Sequence, residues 1–422
     1  MRWLYQIFML LLLLPGLLWL AWRGWRQTGK ADAWRERLGA APRFETGCLW
    51  LHAASVGEVQ AAIPLVNALT KRYPDTPLLI TSFTATGRAR AETAFENIAT
   101  VATLPWDSGF FVGRFLKRVK PRALLVLETE IWPCLFTACK RREIPVAIVS
   151  ARLSHSTMAS YQRFNGLLQP ALSAINLIAA QSSADAGRYK TLGLQTVEVT
   201  GNIKFDISLP SGVREQGEAL RMSLFPQRRV WLAASTREGE EEQILAAFRQ
   251  VHTRFPDTCL IIAPRYPERG DQVETLATRA KWAVARRSRD DSPTIDTAVF
   301  ILDTLGELGS FYAACDVAFV GGSLVPVGGH NLLEPAALAL PVMSGPYTHN
   351  APDIAEQLEA AGGLCRVNNS DELAETVNRL LTDASEREAM GQAALEIIEK
   401  NRGAVKASLQ ALYQANVIRD RY

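Results

Sequence analysis

From residue 48 onward, short apolar runs alternate with longer amphipathic stretches, and the series is played through twice. The first series predicts strands at 49–52, 77–81, 123–127, 146–150 and 178–181, with helices at 56–72, 87–94, 133–142 and 183–192. The rhythm stops at 206–228, where Pro210, Gly212 and Pro226 stand among polar residues. It then restarts, predicting strands at 230–234, 258–263, 317–320 and 341–344, and helices at 240–254, about 310–314 and 332–338. A tail over 371–418 reads as nearly all helix. Strands separated by helices indicate parallel sheets with helices on both faces. A chain of 422 residues is long enough for two such domains. The expected division is 27–205, a linker at 206–228, and 229–422. Two α/β domains facing each other form a cleft at the carboxyl ends of their strands, where such sheets bind ligands.

The first 26 residues read differently. Trp3 to Trp22 is a mostly apolar run of bilayer-crossing length, interrupted by Pro15 and Gly16. Trp3, Tyr5, Trp19, Trp22 and Trp25 gather at its ends, and Arg23, Arg26, Lys30, Arg35 and Arg37 follow it. An uncleaved membrane-anchor helix with the remaining chain on the cytoplasmic side is expected. A signal peptide would carry its charges before the apolar run and a small-residue cleavage site after it. A helix entering one leaflet, bent at Pro15, is the other reading.

Composition narrows the function. A net charge of +3 argues against a general nucleic-acid binder. The six cysteines show no CxxC spacing and there are five histidines, so a structural zinc site is not expected. No P-loop, GxGxxG or G-x-S-x-G motif appears, which removes support for ATPase, dehydrogenase and hydrolase readings. No D-x-D pair follows a strand to hold a metal-bound diphosphate. A metal-independent, cofactor-free transferase is favoured.

Several strand-to-helix junctions carry chemistry. In His52-Ala53-Ala54-Ser55-Val56-Gly57-Glu58, Ser55 and Glu58 have capping-box spacing, yet Glu58 at a strand end also suits a general base. Glu128-Thr129-Glu130-Ile131-Trp132-Pro133 sends two acids out of a strand before a helix. Lys204, in Gly201-Asn202-Ile203-Lys204-Phe205-Asp206, is able to pair with a phosphate or carboxylate. In the second series, Pro264 and Arg265 end one strand, and Leu305, Gly306 and Glu307 precede a helix. Gly321-Gly322-Ser323 and Gly328-Gly329-His330-Asn331-Leu332-Leu333-Glu334-Pro335 follow. Glycines opening a helix let backbone N–H groups approach an anionic oxygen, and Glu334 is placed for sugar hydroxyls.

Taken in order, HAASVGE (52–58), ETEIWP (128–133), ARLS (151–154), GNIKFD (201–206), AAST-EGEE (233–241, interrupted by Arg237), PRYPER (264–269) and GGHNLLEP (328–335) resemble the 3-deoxy-D-manno-octulosonic acid (Kdo) transferases of Gram-negative bacteria. The resemblance implies a GT-B fold of two Rossmann-like domains, acceptor-binding first and donor-binding second. It implies transfer of Kdo from CMP-Kdo to the lipid A precursor at the inner membrane. It makes Glu58 the general base and has Glu128 and Lys204 stabilise the transition state. It puts CMP-Kdo contacts on Pro264, Arg265, Leu305, Gly306, Glu307, Asn331, Leu332, Leu333 and Glu334. Three positions in two segments depart from the family pattern: it usually has His where Arg237 stands, and HPRHPER where this chain has Ala263 and Tyr266. The rival readings are a GT-B enzyme using another nucleotide sugar and a non-catalytic, membrane-tethered nucleotide-sugar binder.

Overall fold

A computed structural model describes residues 2–28, 33–207 and 209–419. Lys30 of the expected basic collar lies outside the described residues, as does the side chain of Trp3. The chain divides into two compact units, 1–206 with 401–422, and 207–400.

The first unit holds seven parallel strands. They are β1 (Cys48–His52), β2 (Leu78–Ser82), β3 (Thr100–Thr103), β4 (Pro121–Leu127), β5 (Val146–Ala151), β6 (Ile175–Ala180) and β7 (Val197–Val199). Their order across the sheet is β3-β2-β1-β4-β5-β6-β7. Apart from Arg122 near the start of β4, the central strands are buried along their whole length, which is why they read as unbroken apolar runs rather than alternating ones. Apolar clusters cover both faces. One contains Trp50, Leu124, Ile148 and Phe136, the other Leu51, Leu65, Leu125 and Val149.

The second unit repeats the plan with β8 (Val230–Thr236), β9 (Cys259–Pro264), β10 (Val284–Arg286), β11 (Val299–Ile301), β12 (Val317–Val320), β13 (Val342–Ser344) and β14 (Leu364–Arg366). Its order is β10-β11-β9-β8-β12-β13-β14. In both sheets the strand order reverses beside the first strand, between β1 and β4 and between β8 and β12. The carboxyl ends of those strands are where an open α/β sheet offers a crevice.

Three expectations are corrected. Residues 206–228 are not all linker: helix Val213–Leu224 packs on helix Leu308–Ala313, because Val213, Leu220 and Leu224 give it an apolar face. The second unit does not run to 422. Helix Ala404–Gln414 returns to the first unit, where Ala404, Val405, Ala411, Leu412 and Ile418 join the cluster of Val59, Leu65 and Leu69. Asp206 caps that helix, accepting from the N–H groups of Gly403 (2.6 Å) and Val405 (2.5 Å).

The third correction concerns the N-terminal run. Among the described residues no single helix is long and apolar enough to cross a membrane. Instead Tyr5–Leu11 and Leu13–Arg26 form a pair bent by 52°. Pro15 supplies the reason, since it has no N–H for the Leu11 carbonyl and its ring crowds that oxygen. Helical bonds resume on either side, from Leu12 N–H to Phe8 O and from Gly16 N–H to Leu12 O. The pair is fastened to the first unit: Tyr5 Oη donates to Asp107 Oδ2 (2.8 Å), and Trp106 Nε1 donates to the Met9 carbonyl (2.7 Å).

Candidate active site

In the first unit, β1 ends at His52 and the chain turns through Ala53 and Ala54 into helix Val56–Arg72. Ser55 caps this helix, its Oγ accepting from the Glu58 N–H (3.4 Å). Glu58 folds back over the same turn. Its Oε2 accepts from the Ala54 N–H (2.8 Å) and its Oε1 from the Ser55 hydroxyl (3.0 Å). The cap is therefore built. Burial nevertheless pushes the Glu58 carboxyl up to about 7, helped by the negative charges of Glu128 and Glu130 and opposed by the two hydrogen bonds. A carboxyl poised there exchanges a proton near neutrality, as a general base requires.

Glu128 leaves β4 with φ +59°, the left-handed region that non-glycine residues seldom occupy. Its carboxylate pairs with Lys204 Nζ at 2.7 Å. Lys204 comes from the short turn Ile203–Phe205, which Asn202 opens by accepting from the Lys204 N–H (3.0 Å). Ser150, also left-handed at φ +53°, is the last residue but one of β5 and ties that turn to the sheet. Its Oγ accepts from the Ile203 N–H (3.4 Å) and from Gln181 Nε2 (3.2 Å). Ser150 and Gln181 escaped the sequence reading, since nothing local marks them. Beneath lies His52, fully buried. Its Nδ1 is 2.9 Å from Thr81 Oγ1 and its Nε2 4.0 Å from Glu130 Oε2. Burial brings this imidazole down to about 4, so it is neutral. The structure thus gathers Glu58, Glu128 and Lys204 at the carboxyl ends of β1, β4 and β5 and the turn after β7.

In the second unit the organiser is Glu240, which the sequence hid in an acidic run. Its carboxylate is fully buried and accepts four backbone N–H groups: Arg237 (2.9 Å), Gly322 (2.6 Å), Ser323 (2.8 Å) and Leu324 (2.8 Å). It thereby fastens the turn after β8 to the glycine turn after β12. Gly321 leaves no room for a side chain, since a Cβ would lie 2.8 Å from Thr236 Cα. Glu241, equally buried, holds Arg269 at 2.6 Å and so fixes the segment after β9.

The expected donor residues fall on neighbouring strand ends. Pro264 closes β9 and is buried, while Arg265 beside it is exposed. The Leu305 side chain is 80% exposed, next to Gly306 at φ +88°. Glu307 is engaged by the Arg287 guanidinium at 2.6 Å and by the Thr304 hydroxyl, and the arginine draws its carboxyl below the usual range. Asn331 donates from Nδ2 to Glu334 Oε1 (2.9 Å) and accepts at Oδ1 from the Leu333 N–H (3.1 Å). Leu332 and Leu333 are buried, so only their backbones can meet a ligand. The helix expected at 332–338 shortens to Leu333–Ala337, too short for a strong dipole. Among the described residues, no group of three His, Cys, Asp or Glu side chains is arranged to hold a metal.

Two parallel α/β sheets, each with its strand order reversing beside its first strand, make the GT-B fold. UDP-GlcNAc 2-epimerase from Neisseria meningitidis shares the fold, with a TM-score of 0.58 at 17% identity over 87% of this chain and 99% of that one. Residues 32–207 match the family described as 3-deoxy-D-manno-octulosonic-acid transferase (kdotransferase), and 240–396 match glycosyl transferases group 1. A 3-deoxy-D-manno-octulosonic acid transferase from Haemophilus influenzae is 39% identical over 91% of this chain and 92% of its own length. One from Bordetella pertussis is 38% identical over 89% of each. The chain belongs to the 3-deoxy-D-manno-octulosonic acid transferase family.

Proposed function

We propose that the chain transfers Kdo from CMP-Kdo to a hydroxyl of the lipid A precursor in lipopolysaccharide core biosynthesis. The observation that carries the mechanism is the Glu58 carboxyl, held at a helix start and raised to about 7 beside the Glu128–Lys204 pair. Glu58 takes the proton of the acceptor hydroxyl as that oxygen attacks the anomeric carbon. CMP departs from the opposite face with the bonding electrons, in one inverting displacement. Lys204, steadied by Glu128, offers positive charge to the departing phosphate or to the acceptor's own anionic groups. Arg265 takes the nucleotide phosphate. The backbones at Pro264, Leu305 to Glu307 and Leu332 to Leu333 frame the nucleotide, and Asn331 and Glu334 contact its sugar.

The bent N-terminal pair serves as the membrane anchor in this reading. Ile7, Leu11, Leu14, Leu18, Trp19, Trp22 and Trp25 are exposed apolar side chains on it, and Arg23 and Arg26 stack on Trp19 and Trp22 at 5.1 and 5.0 Å. The bonds of Tyr5 and Met9 to the first unit favour a pair that enters one leaflet from the cytoplasmic side over one that crosses.

Mass spectrometry of the lipid made from CMP-Kdo and a tetraacylated lipid A precursor tests the function. Kdo-bearing product with release of CMP is expected. No product, or product only from a different nucleotide sugar, would overturn it.

A further inference from the structure

Two of the three departures from the family pattern, Arg237 and Tyr266, meet in space. The Arg237 guanidinium lies over the Tyr266 ring at 4.9 Å, and the Arg265 guanidinium lies over the same ring at 5.7 Å. The backbone forces the meeting, because the Arg265 N–H donates to the Thr236 carbonyl (3.0 Å) and brings the ends of β8 and β9 together. Among the described residues, no carboxylate pairs with either guanidinium. Other arginines of this unit are met by acids, as Arg269 is by Glu241 and Arg287 by Glu307. Both cations bear on His330, whose ring packs against Gly322 and whose buried Nε2 has no hydrogen-bond partner.

Two like charges against one aromatic ring repel each other, and the ring offsets only part of that. The arrangement calls for an anionic ligand, and for one with more than a single charge. A nucleotide-linked ulosonic acid has two anionic groups side by side: the phosphodiester oxygen is bonded to the anomeric carbon, and the carboxylate is bonded to that same carbon. A neutral sugar on the same nucleotide has only the first. We propose that Arg265 and Arg237 form a divided clamp on Tyr266, with Arg265 on the phosphodiester and Arg237 on the carboxylate of the transferred sugar. Arg237 is then the residue by which this chain selects an acidic sugar. The clamp rests on the donor reading above and adds a subsite to it.

The test uses the full chain in detergent and reads two quantities: the KM for CMP-Kdo with lipid acceptor present, and the Kd for CMP, which has no sugar carboxylate. Arg237→Ala should raise the KM by about 10–100-fold, the loss of one charge-assisted contact, with the Kd for CMP within about twofold of wild type. Arg237→Lys should recover part of the loss, because the charge remains without the fork. Tyr266→Ala should raise the KM in the same direction by freeing both cations. Among the described residues the Arg237 side chain makes no hydrogen bond, so an unfolding midpoint equal to wild type is expected and checks that the variant is folded. An unchanged KM in Arg237→Ala overturns the clamp. Equal losses of CMP-Kdo and CMP overturn the assignment of Arg237 to the carboxylate. A wild-type enzyme that releases no CMP overturns the donor reading and the clamp with it, whereas an active wild type with an indifferent Arg237→Ala sinks the clamp alone.

Discussion

Glu58 does two things with one carboxylate, and they can be separated. As a cap it needs only an acceptor, which glutamine also provides. As a base it must lose a proton. Glu58→Gln is therefore expected to cut turnover on the order of 10²–10⁴-fold while the Kd for CMP stays unchanged. Near-normal turnover would leave Glu58 with the cap alone. The pH dependence follows from the same residue. The base works deprotonated, so kcat/KM should rise with pH through about 7 and level off above it. Glu58→Gln should lose that limb. Stability runs the other way. The folded carboxyl, at about 7, holds its proton more tightly than the unfolded one at an ordinary 4.5, so this contribution is complete below 4.5 and is lost as pH rises through about 7. Thermal denaturation at pH 8.5 should find Glu58→Gln at least as stable as wild type. A clearly lower Tm would mean that the ionised carboxylate contributes more as a cap than its burial costs.

At the scale of elements, the donor half depends on loops fastened from outside the site. Glu240 lies beyond β8, yet it orders the backbone beyond β12. Removing it strands three buried N–H groups and the part-buried one of Arg237. Glu240→Ala should destabilise the second unit by roughly 2–4 kcal/mol and weaken CMP binding with it. Urea unfolding checks the first effect and calorimetry the second. Glu238→Ala, an exposed acid in the same run, should shift stability by less than about 0.5 kcal/mol. The short strands belong to this scale too. β3, β7, β10, β11 and β14 have only three or four residues and go unread, whereas β12 and β13, no longer, are marked by the glycines that follow their apolar residues. Three or four residues are too few for a period to show, and neighbouring strands supply the pairing that makes them strands.

For the whole molecule, the N-terminal pair decides how the chain meets a membrane. If Tyr5 stays bonded to Asp107, residues before it cannot reach the far side of a bilayer. A cysteine introduced as Arg2→Cys should resist a membrane-impermeant maleimide applied from the periplasm and react in inverted vesicles. Five of the six native thiols are buried, so background labelling will be low. Labelling from the periplasm would establish a span. Replacing Leu11, Leu14 and Leu18 together by Gln should move the protein out of the membrane fraction without unfolding it, since all three are exposed. A further expectation concerns metal: activity should survive excess EDTA at fixed ionic strength, with the donor's charge met by Arg265, Arg237 and backbone N–H groups. Loss of CMP affinity on chelation, in lipid-free detergent, would contradict it.

The sequence alone determined the two α/β series and where its candidate residues stand along the chain. Unbroken apolar runs declare buried parallel strands, and polar or glycine-rich turns follow them at fixed places: Glu58 after β1, Glu128 after β4, Arg265 after β9 and the glycines after β12. These signals are local, and local pattern is what a sequence displays. Only the tertiary structure decided what touches what. The acidic run 238–242 looks solvated until Glu240 meets N–H groups more than eighty residues away. Ser150 gains its role from Ile203, and the last helix chooses the first unit through contacts with residues three hundred positions earlier. Arg237 and Tyr266 look like two separate departures until β8 and β9 lie side by side. Burial, pairing and the pKa of Glu58 are set by neighbours distant in sequence, and the order of residues along the chain does not record that proximity.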